Sequence, residues 1–358
     1  MAIITSYFGE LPLLVRILSV VGLFTVAKPL IGLLRVLLDC YVLSGIPLST
    51  FGANKKQPKQ ASWALITGAT DGIGKEFALQ LAKKGFNIVV ASRTQSKLDA
   101  VKAEIEGLPN TSAEVKTIAI DFSKASEDDF EKLEQLLSPL DLGVLVNNVG
   151  MSHSIPVLFS QTDVQEIEAI TQINVRATLR VSRIAVPLLM KNASSKGKES
   201  LILNLGSFAG SVPTPLLATY AGSKSFLIGW NRALNEELNR VGVTSLLLNT
   251  FLISTAMSKI RKSSWSVPTP KQYVSQVLAK IGRNGSAYQE DRRGREMTIW
   301  PQHALVEWAV RELLGIGRAT AYSYGTHVDI RKRALRKEER IRAQAEGSSA
   351  QGADKKSS

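Results

Sequence analysis

Cysteine is almost missing from these 358 residues, with Cys40 standing alone. A single thiol excludes an intramolecular disulfide and fits a reducing compartment. Histidine is scarce as well. His153, His303 and His327 are scattered without metal-ligand spacing, so no metal site is read. Acidic residues fall short of basic ones, 31 against 44, and the formal net charge is +13. That excess fits nucleic acid, anionic lipid, or a charged substrate or cofactor, and the positions of the cations decide among them. Also lacking is a clean uncharged run of membrane-spanning length. What is present is 44% hydrophobic residues, enough for one large domain or two small ones with a substantial core.

The most apolar region is residues 11–38, where an uncharged stretch at 17–27 is followed by Lys28, a second stretch at 29–34 and Arg35. A lysine at a bilayer centre costs about 2.5–3.5 kcal/mol on insertion scales. At roughly 100° per residue, Lys28, Arg35 and Asp39 share one helical face. Two readings stay open: a tilted spanning helix with a polar stripe, or a helix lying in the interface. No small-residue cleavage pattern follows, which argues against a cleaved signal peptide. Residues 1–40 are therefore read as a membrane anchor, with its helix at about 11–38, and residues 41–61 as a linker. Lys55, Lys56 and Lys59 lie just beyond the anchor, which places the rest of the chain on the cytosolic side.

Trp63-Ala64-Leu65-Ile66 reads as a short buried strand. Thr67-Gly68-Ala69-Thr70-Asp71-Gly72-Ile73-Gly74 follows it, then a helix over 75–84. Strand, glycine turn and helix form a phosphate-cradling unit, because glycines let backbone approach a pyrophosphate and helix N–H groups face its charge. The next strand, 87–91, ends in Ser92-Arg93. A cation at that point accommodates a ribose 2′-phosphate, so Arg93 argues for NADP over NAD. Strands at 117–120 and 144–146 lead into Asp121 and into Asn147-Asn148-Val149-Gly150, with helices at 97–106 and 127–137 between them. A long helix over 164–190 contains Asn174, a poor mid-helix residue that is either exposed or held to a task. Strand 201–205 precedes Ser207, and strand 244–249 closes the series. The alternation argues for an α/β fold, a Rossmann-type doubly wound parallel sheet in a single domain over 62–320.

In Thr219-Tyr220-Ala221-Gly222-Ser223-Lys224, the phenol and the amine are four residues apart and share a helical face. A nearby ammonium favours phenolate, so the expectation is a tyrosine pKa drawn toward neutrality. Such a group exchanges a proton with an alcohol or carbonyl.

These elements, in this order, resemble the short-chain dehydrogenase/reductase family over about residues 62–257. Val149 stands where that family usually has Ala, and Thr250-Phe251-Leu252-Ile253-Ser254-Thr255 replaces its usual Pro-Gly segment while keeping Thr255. The resemblance implies NADPH as cofactor, held by Gly68, Thr70, Asp71, Gly72, Ile73, Gly74, Arg93, Asp121, Asn148, Gly150, Ile253 and Thr255 together with Tyr220 and Lys224. It implies that Tyr220 protonates the carbonyl oxygen, Lys224 holds the nicotinamide ribose and lowers the tyrosine pKa, Ser207 binds the reacting oxygen, and Asn174 holds a water.

Within the family the chain resembles the membrane-bound branch, found in fungi, that reduces very-long-chain 3-oxoacyl-CoA in fatty-acid elongation. The residues that carry this are the apolar anchor, Thr70 through Lys75, and Met257-Ser258-Lys259-Ile260-Arg261-Lys262 with Pro268-Thr269-Pro270. On this resemblance Lys259, Arg261 and Lys262 meet either CoA phosphates or anionic lipid. Hydroxysteroid or retinoid dehydrogenation is the alternative activity, and a non-catalytic scaffold for elongation proteins is the alternative class. Residues 300–314 read as an amphipathic helix against the domain or the membrane surface. Residues 321–358 form a basic, partly disordered tail, densely charged from Arg331 and without nucleic-acid affinity. Lys355-Lys356 near its end resembles a dilysine signal for the endoplasmic reticulum.

Overall fold

Alternate residues of each strand leave its two faces in opposite directions, and the strands here sort their side chains accordingly. Ala64, Ile66, Ile88, Val90, Val144, Val146, Leu201 and Leu203 face one core. Leu65, Val89, Leu145 and Ile202 face another. A sheet apolar on both faces must be covered on both, the usual condition of parallel sheets. The computed structural model describes residues 12–283, 285 and 296–354. The first residue of the expected anchor helix, Leu11, and the Lys355-Lys356 pair lie outside the described residues.

Seven parallel strands are present: β1 (Trp63–Thr67), β2 (Asn87–Ser92), β3 (Val115–Ala119), β4 (Leu142–Asn147), β5 (Ser200–Leu205), β6 (Val243–Leu248) and β7 (Glu296–Met297). Their order is β3-β2-β1-β4-β5-β6-β7. Strand β1 pairs with β2 on one side and β4 on the other, Ile66 standing opposite both Val90 and Val146. The chain reverses its winding there, and open α/β sheets bind ligands at that crevice. On the first face lie α2 (Gly72–Lys84), through Phe77 and Leu81, and α8 (Pro270–Ala279), through Tyr273 and Val277. On the second lie α4 (Glu127–Leu137), through Phe130 and Leu133, and α6 (Thr178–Lys196), through Val181 and Leu189. The other helices are α1 (Leu13–Leu37), α3 (Gln95–Glu106), α5 (Val164–Thr171), α7 (Ala218–Leu238), α9 (Pro301–Ala309) and α10 (Ile316–Asp354). Helix starts follow local chemistry. Ser126 and Asp129 form a capping box before α4, and Thr269 and Gln272 form another before α8, where Pro270 takes the first turn.

The structure departs from the sequence reading at two π-turns. The single helix expected over 164–190 is divided by a π-turn at Gln172–Ala177 that contains Asn174, an arrangement frequent at functional sites. A second π-turn, Val310–Leu314, follows α9. The basic tail runs on as α10 to Asp354, and its Arg331 donates to Pro156 O at 2.8 Å and Gln161 Oε1 at 2.9 Å.

The segment Leu13–Val42 is the one helix among the described residues long and apolar enough to cross a membrane. Most of α1 is exposed, but its carboxyl end is docked. Val36 and Cys40 are buried, Trp308 Nε1 donates to Pro29 O at 3.0 Å, and Gly285 N donates to Asp39 Oδ2 at 3.2 Å. The first part of the expected linker continues this seam. Gly45 N and Ile46 N bond Ala279 O and Ile281 O, Lys280 Nζ bonds Leu43 O at 2.6 Å, and Phe51 is fully buried. A Cβ on Gly45 would lie 2.4 Å from Ile281 N and 2.7 Å from Lys280 Cα, whereas one on Gly22 meets nothing within 4 Å. Gly45→Ala therefore lowers stability by about 1–3 kcal/mol through overpacking, while Gly22→Ala, inside a helix with open space around it, does not lower it. Thermal unfolding in detergent reads both, and equal effects would contradict the docked seam.

Candidate active site at the carboxyl edge of the sheet

The glycine turn after β1 is shaped by close approach. Gly68 has φ +65°, and a Cβ there would lie 2.9 Å from Asn148 Nδ2. At Gly74 a Cβ would lie 2.3 Å from both Gly68 O and Asn148 Nδ2. Gly72 also has positive φ, +55°, yet a Cβ there meets only the Thr255 side chain, at 3.5 Å, so its outer side faces the open crevice. Asn148 grips the turn: its Nδ2 donates to Thr67 O at 2.9 Å and Gly68 O at 3.1 Å. Thr67 Oγ1 in turn accepts from Asn148 N and Val149 N at 3.0 and 3.1 Å. Thr67 was not singled out from sequence; its only signal is its place immediately before the first glycine. Asp71 caps α2, accepting from Gly72 N, and Thr70 Oγ1 lies 2.9 Å from Ser92 Oγ.

Arg93 and Asp121 sit exposed at the ends of β2 and just after β3. The Asp121 carboxylate is held below its ordinary pKa by the Ser123 hydroxyl, with help from the Arg93 charge. Beyond β6, Ile253 is buried and the loop is knitted by Ser258, whose Oγ donates to Ile253 O and accepts from Thr255 N. The structure thus brings the expected cofactor residues to one edge, on loops after β1, β2, β3, β4 and β6.

Ser207, Tyr220, Lys224 and Asn174 gather beside that edge. Ser207 opens the single helical turn Phe208–Ser211 after β5, its Oγ accepting from Ala209 N at 3.2 Å, and its hydroxyl is near enough to the Tyr220 phenol to temper that group's pKa. Lys224 is buried, one turn along α7, with Nζ 2.7 Å from Leu205 O and 5.9 Å from the centre of the Tyr220 ring. Gly150 faces both partners, since a Cβ on it would lie 3.4 Å from Asn174 Oδ1 and 3.6 Å from Lys224 Nζ.

One expectation changes here. Burial pushes the Tyr220 phenol above its ordinary value, the Ser207 hydroxyl offsetting only part of the effect. Lys224 does not reverse this, because burial lowers its own pKa to about 8 and its ammonium points at a carbonyl. The Asn174 amide is tied to its neighbours, with one Oδ1 lone pair left over. Its Oδ1 accepts from Met151 N at 2.8 Å, and its Nδ2 donates to Met151 O at 2.9 Å and Ser223 Oγ at 2.8 Å. Ser223, also missed from sequence, passes the link on to Tyr220 O at 2.7 Å. The π-turn is therefore tied to the strand-end loop and to the tyrosine's own turn.

A profile of the short chain dehydrogenase family matches residues 62–264. The very-long-chain 3-oxoacyl-CoA reductase of Mycosarcoma maydis is 51% identical over 321 residues, 90% of this chain and 89% of that protein. The very-long-chain 3-oxoacyl-CoA reductase of Neurospora crassa is 46% identical over 327 residues, 89% of this chain and 92% of that protein. Among solved structures, a 3-ketoacyl-(acyl-carrier-protein) reductase from Brucella melitensis complexed with NADH aligns with a TM-score of 0.53 at 29% identity, covering 61% of this chain and 90% of that one.

Holding the Lys224 ammonium out of water costs stability. The folded pKa, about 8, lies below the ordinary 10.5. Between those values the unfolded chain keeps a proton that the folded chain has released, so stability rises with pH across this window. Lys224→Met removes the penalty. The variant melts higher than the parent at pH 7, and the gap narrows as pH climbs from 8 toward 10.5. Melting curves over that range check this; a gap that widened would contradict it.

Proposed function

The chain belongs to the short chain dehydrogenase family, and from that premise we propose that it reduces very-long-chain 3-oxoacyl-CoA to the 3-hydroxyacyl-CoA with NADPH, at the endoplasmic reticulum membrane. The observation that carries the chemistry is the gathering of Ser207, Tyr220 and buried Lys224, its Nζ 5.9 Å from the centre of the phenol ring, at the carboxyl edge of the sheet. The relatives' identity over nine-tenths of the chain supports the substrate. The apolar helix supports the membrane, and Lys55, Lys56 and Lys59 beyond it support a cytosolic domain.

The crevice fits a dinucleotide. Gly72 turns bare backbone toward open space at the amino end of α2, where N–H groups favour a pyrophosphate. In this reading Gly68, Thr70, Asp71, Gly72, Ile73 and Gly74 hold the pyrophosphate side, and Arg93 meets a 2′-phosphate. Asp121 meets the adenine, Asn148 and Gly150 line the ribose side, and Ile253 and Thr255 line the nicotinamide side. When bound, the reduced nicotinamide supplies a hydride to the 3-oxo carbon. Tyr220 Oη gives its proton to the carbonyl oxygen, and Ser207 Oγ orients that oxygen. A phenol pushed above its ordinary pKa stays protonated across the physiological range, which favours the reducing direction. Lys224 lies beside the phenol and returns a proton drawn from solvent. Asn174 fixes the turn next to Lys224 through three amide bonds, and its remaining Oδ1 lone pair is where it would hold the water that resupplies the proton. A scaffold has no need of this set.

Membranes carrying the full chain oxidise NADPH on addition of a long-chain 3-oxoacyl-CoA. Tyr220→Phe keeps NADPH affinity and loses turnover by about a thousandfold or more; retained turnover would falsify the proton assignment. Arg93→Ala raises the KM for NADPH about tenfold and leaves that for NADH unchanged, read from initial rates with each nucleotide.

A further inference from the structure

Five cations converge on one cleft of about 920 Å3 next to the glycine turn: Lys75 of α2, Lys259 and Arg261 of the loop after β6, Lys271 of α8 and Lys337 of α10. Three carboxylates share its walls, and each is already engaged. Glu104 pairs with Lys75 at 2.7 Å, Glu76 accepts from Gln80 at 3.1 Å, and Asp71 accepts from Gly72 N at 2.8 Å. Lys259, held at φ +57°, donates to Ser154 O at 2.7 Å. Arg261, Lys271 and Lys337 have no carboxylate partner among the described residues. Unpartnered like charges from three separate elements repel in one cleft, an arrangement relieved by an anion.

Lys337 arrives there by a specific route. Arg331 ties α10 to the loop after β4 through Pro156 O and Gln161 Oε1. Six residues on, about 9 Å along the helix, Lys337 reaches the wall formed by the loop after β6 and the start of α8. Helix α10 thus runs across the carboxyl edge of the sheet, where the family's ligands bind, although it lies outside the residues that the family profile matches.

We infer that this cleft is an anion subsite for the phosphate groups at the coenzyme A end of a thioester substrate, and that α10 completes it through Lys337. The inference rests on the thioester reading above. The dinucleotide pyrophosphate is the nearest rival occupant, because Asp71, Gly72 and Thr255, assigned above to the dinucleotide, also line the cleft. Lipid phosphate is the other.

The test uses the full chain in membranes and a triple variant, Arg261→Gln, Lys271→Gln and Lys337→Gln. All three positions are exposed or partly exposed cations, so folding is retained, and Lys259 is left intact. Substrates are one 3-oxoacyl group carried on coenzyme A or on pantetheine, which lacks the nucleotide phosphates. The expected result is a rise of about tenfold in the KM for the coenzyme A thioester, with the KM for the pantetheine thioester and for NADPH unmoved. The parent's KM for the coenzyme A thioester also rises with salt, and the variant's rises less. A raised KM for NADPH with that for the coenzyme A thioester unchanged assigns the cleft to the dinucleotide and overturns the inference. Weaker binding to anionic vesicles with every KM unchanged assigns the cations to lipid and overturns it equally. If the unaltered chain reduces neither thioester, the substrate reading itself has failed, and the subsite falls with it.

Discussion

Everything in the site hangs on how the carboxyl ends of β1 and β4 are stitched together. Thr67 Oγ1 receives two successive N–H groups from the loop after β4, and Asn148 returns an amide to two carbonyls of the glycine turn. These are buried or half-buried polar groups, each of which costs more unpaired than it gains when paired. Meeting all of them at once permits one relative position of the two loops. That position sets the mouth of the crevice, and Gly68 and Gly74 are small because the Asn148 amide fills the space where side chains would stand. A phosphate cradle made of backbone is available only if something else fixes that backbone.

The same economy of polar groups explains the chemistry beside it. Lys224 is buried, its amine bonded to Leu205 O, and its pKa has fallen to about 8. An interior that suppresses ammonium also suppresses phenolate, so Tyr220 rises while Lys224 falls. The two groups move apart under one cause, desolvation: the phenol holds its proton more tightly than usual and the amine less tightly. Strain of this kind is kept at functional sites and offset elsewhere. Here the offset comes from a sheet buried on both faces and from the Asn174–Met151–Ser223 bonds that hold the surrounding turns.

Much of this was legible before any coordinates. Strand–turn–helix order located the glycine turn, the spacing of Tyr220 and Lys224 located the buried phenol–amine pair, and alternating apolar strands gave the parallel sheet. What was hidden depends on through-space contact. The direction of the Tyr220 shift could not be read from an i,i+4 pair, because the sequence shows the neighbouring charge but not the burial that outweighs it. Asn174 was marked as odd in a helix, yet its partners at Met151 and Ser223 are 23 and 49 residues away. Thr67 carries no motif of its own. The linker was judged by its polar stretch at 54–60, which masked the apolar residues before it that are drawn into the core at Phe51. The charged tail resembled a solvated segment because Arg331, which bonds the domain, and Lys337, which lines the cleft, are the same residue types as solvent-facing charge.

The docking of α1 would give a membrane anchor at this helix a mechanical meaning beyond attachment. A flexible tether over residues 41–61 would let its ends wander about 25 Å apart, leaving the site free to turn in any direction above a membrane. Instead, backbone pairs at Gly45 and Ile46, the Asp39–Gly285 bond and the Trp308–Pro29 bond lock the helix to α8 and α9. Pro29 is eight residues before the end of α1, about 12 Å along its axis, so the helix is gripped over two turns and cannot pivot about a single point. With α1 across a bilayer, its direction fixes the orientation of the sheet's carboxyl edge to the lipid. For an acyl chain that hardly leaves the membrane, that orientation governs encounter as much as affinity does. Rigid docking removes rotational freedom before binding, and freedom already lost need not be lost again when substrate is bound.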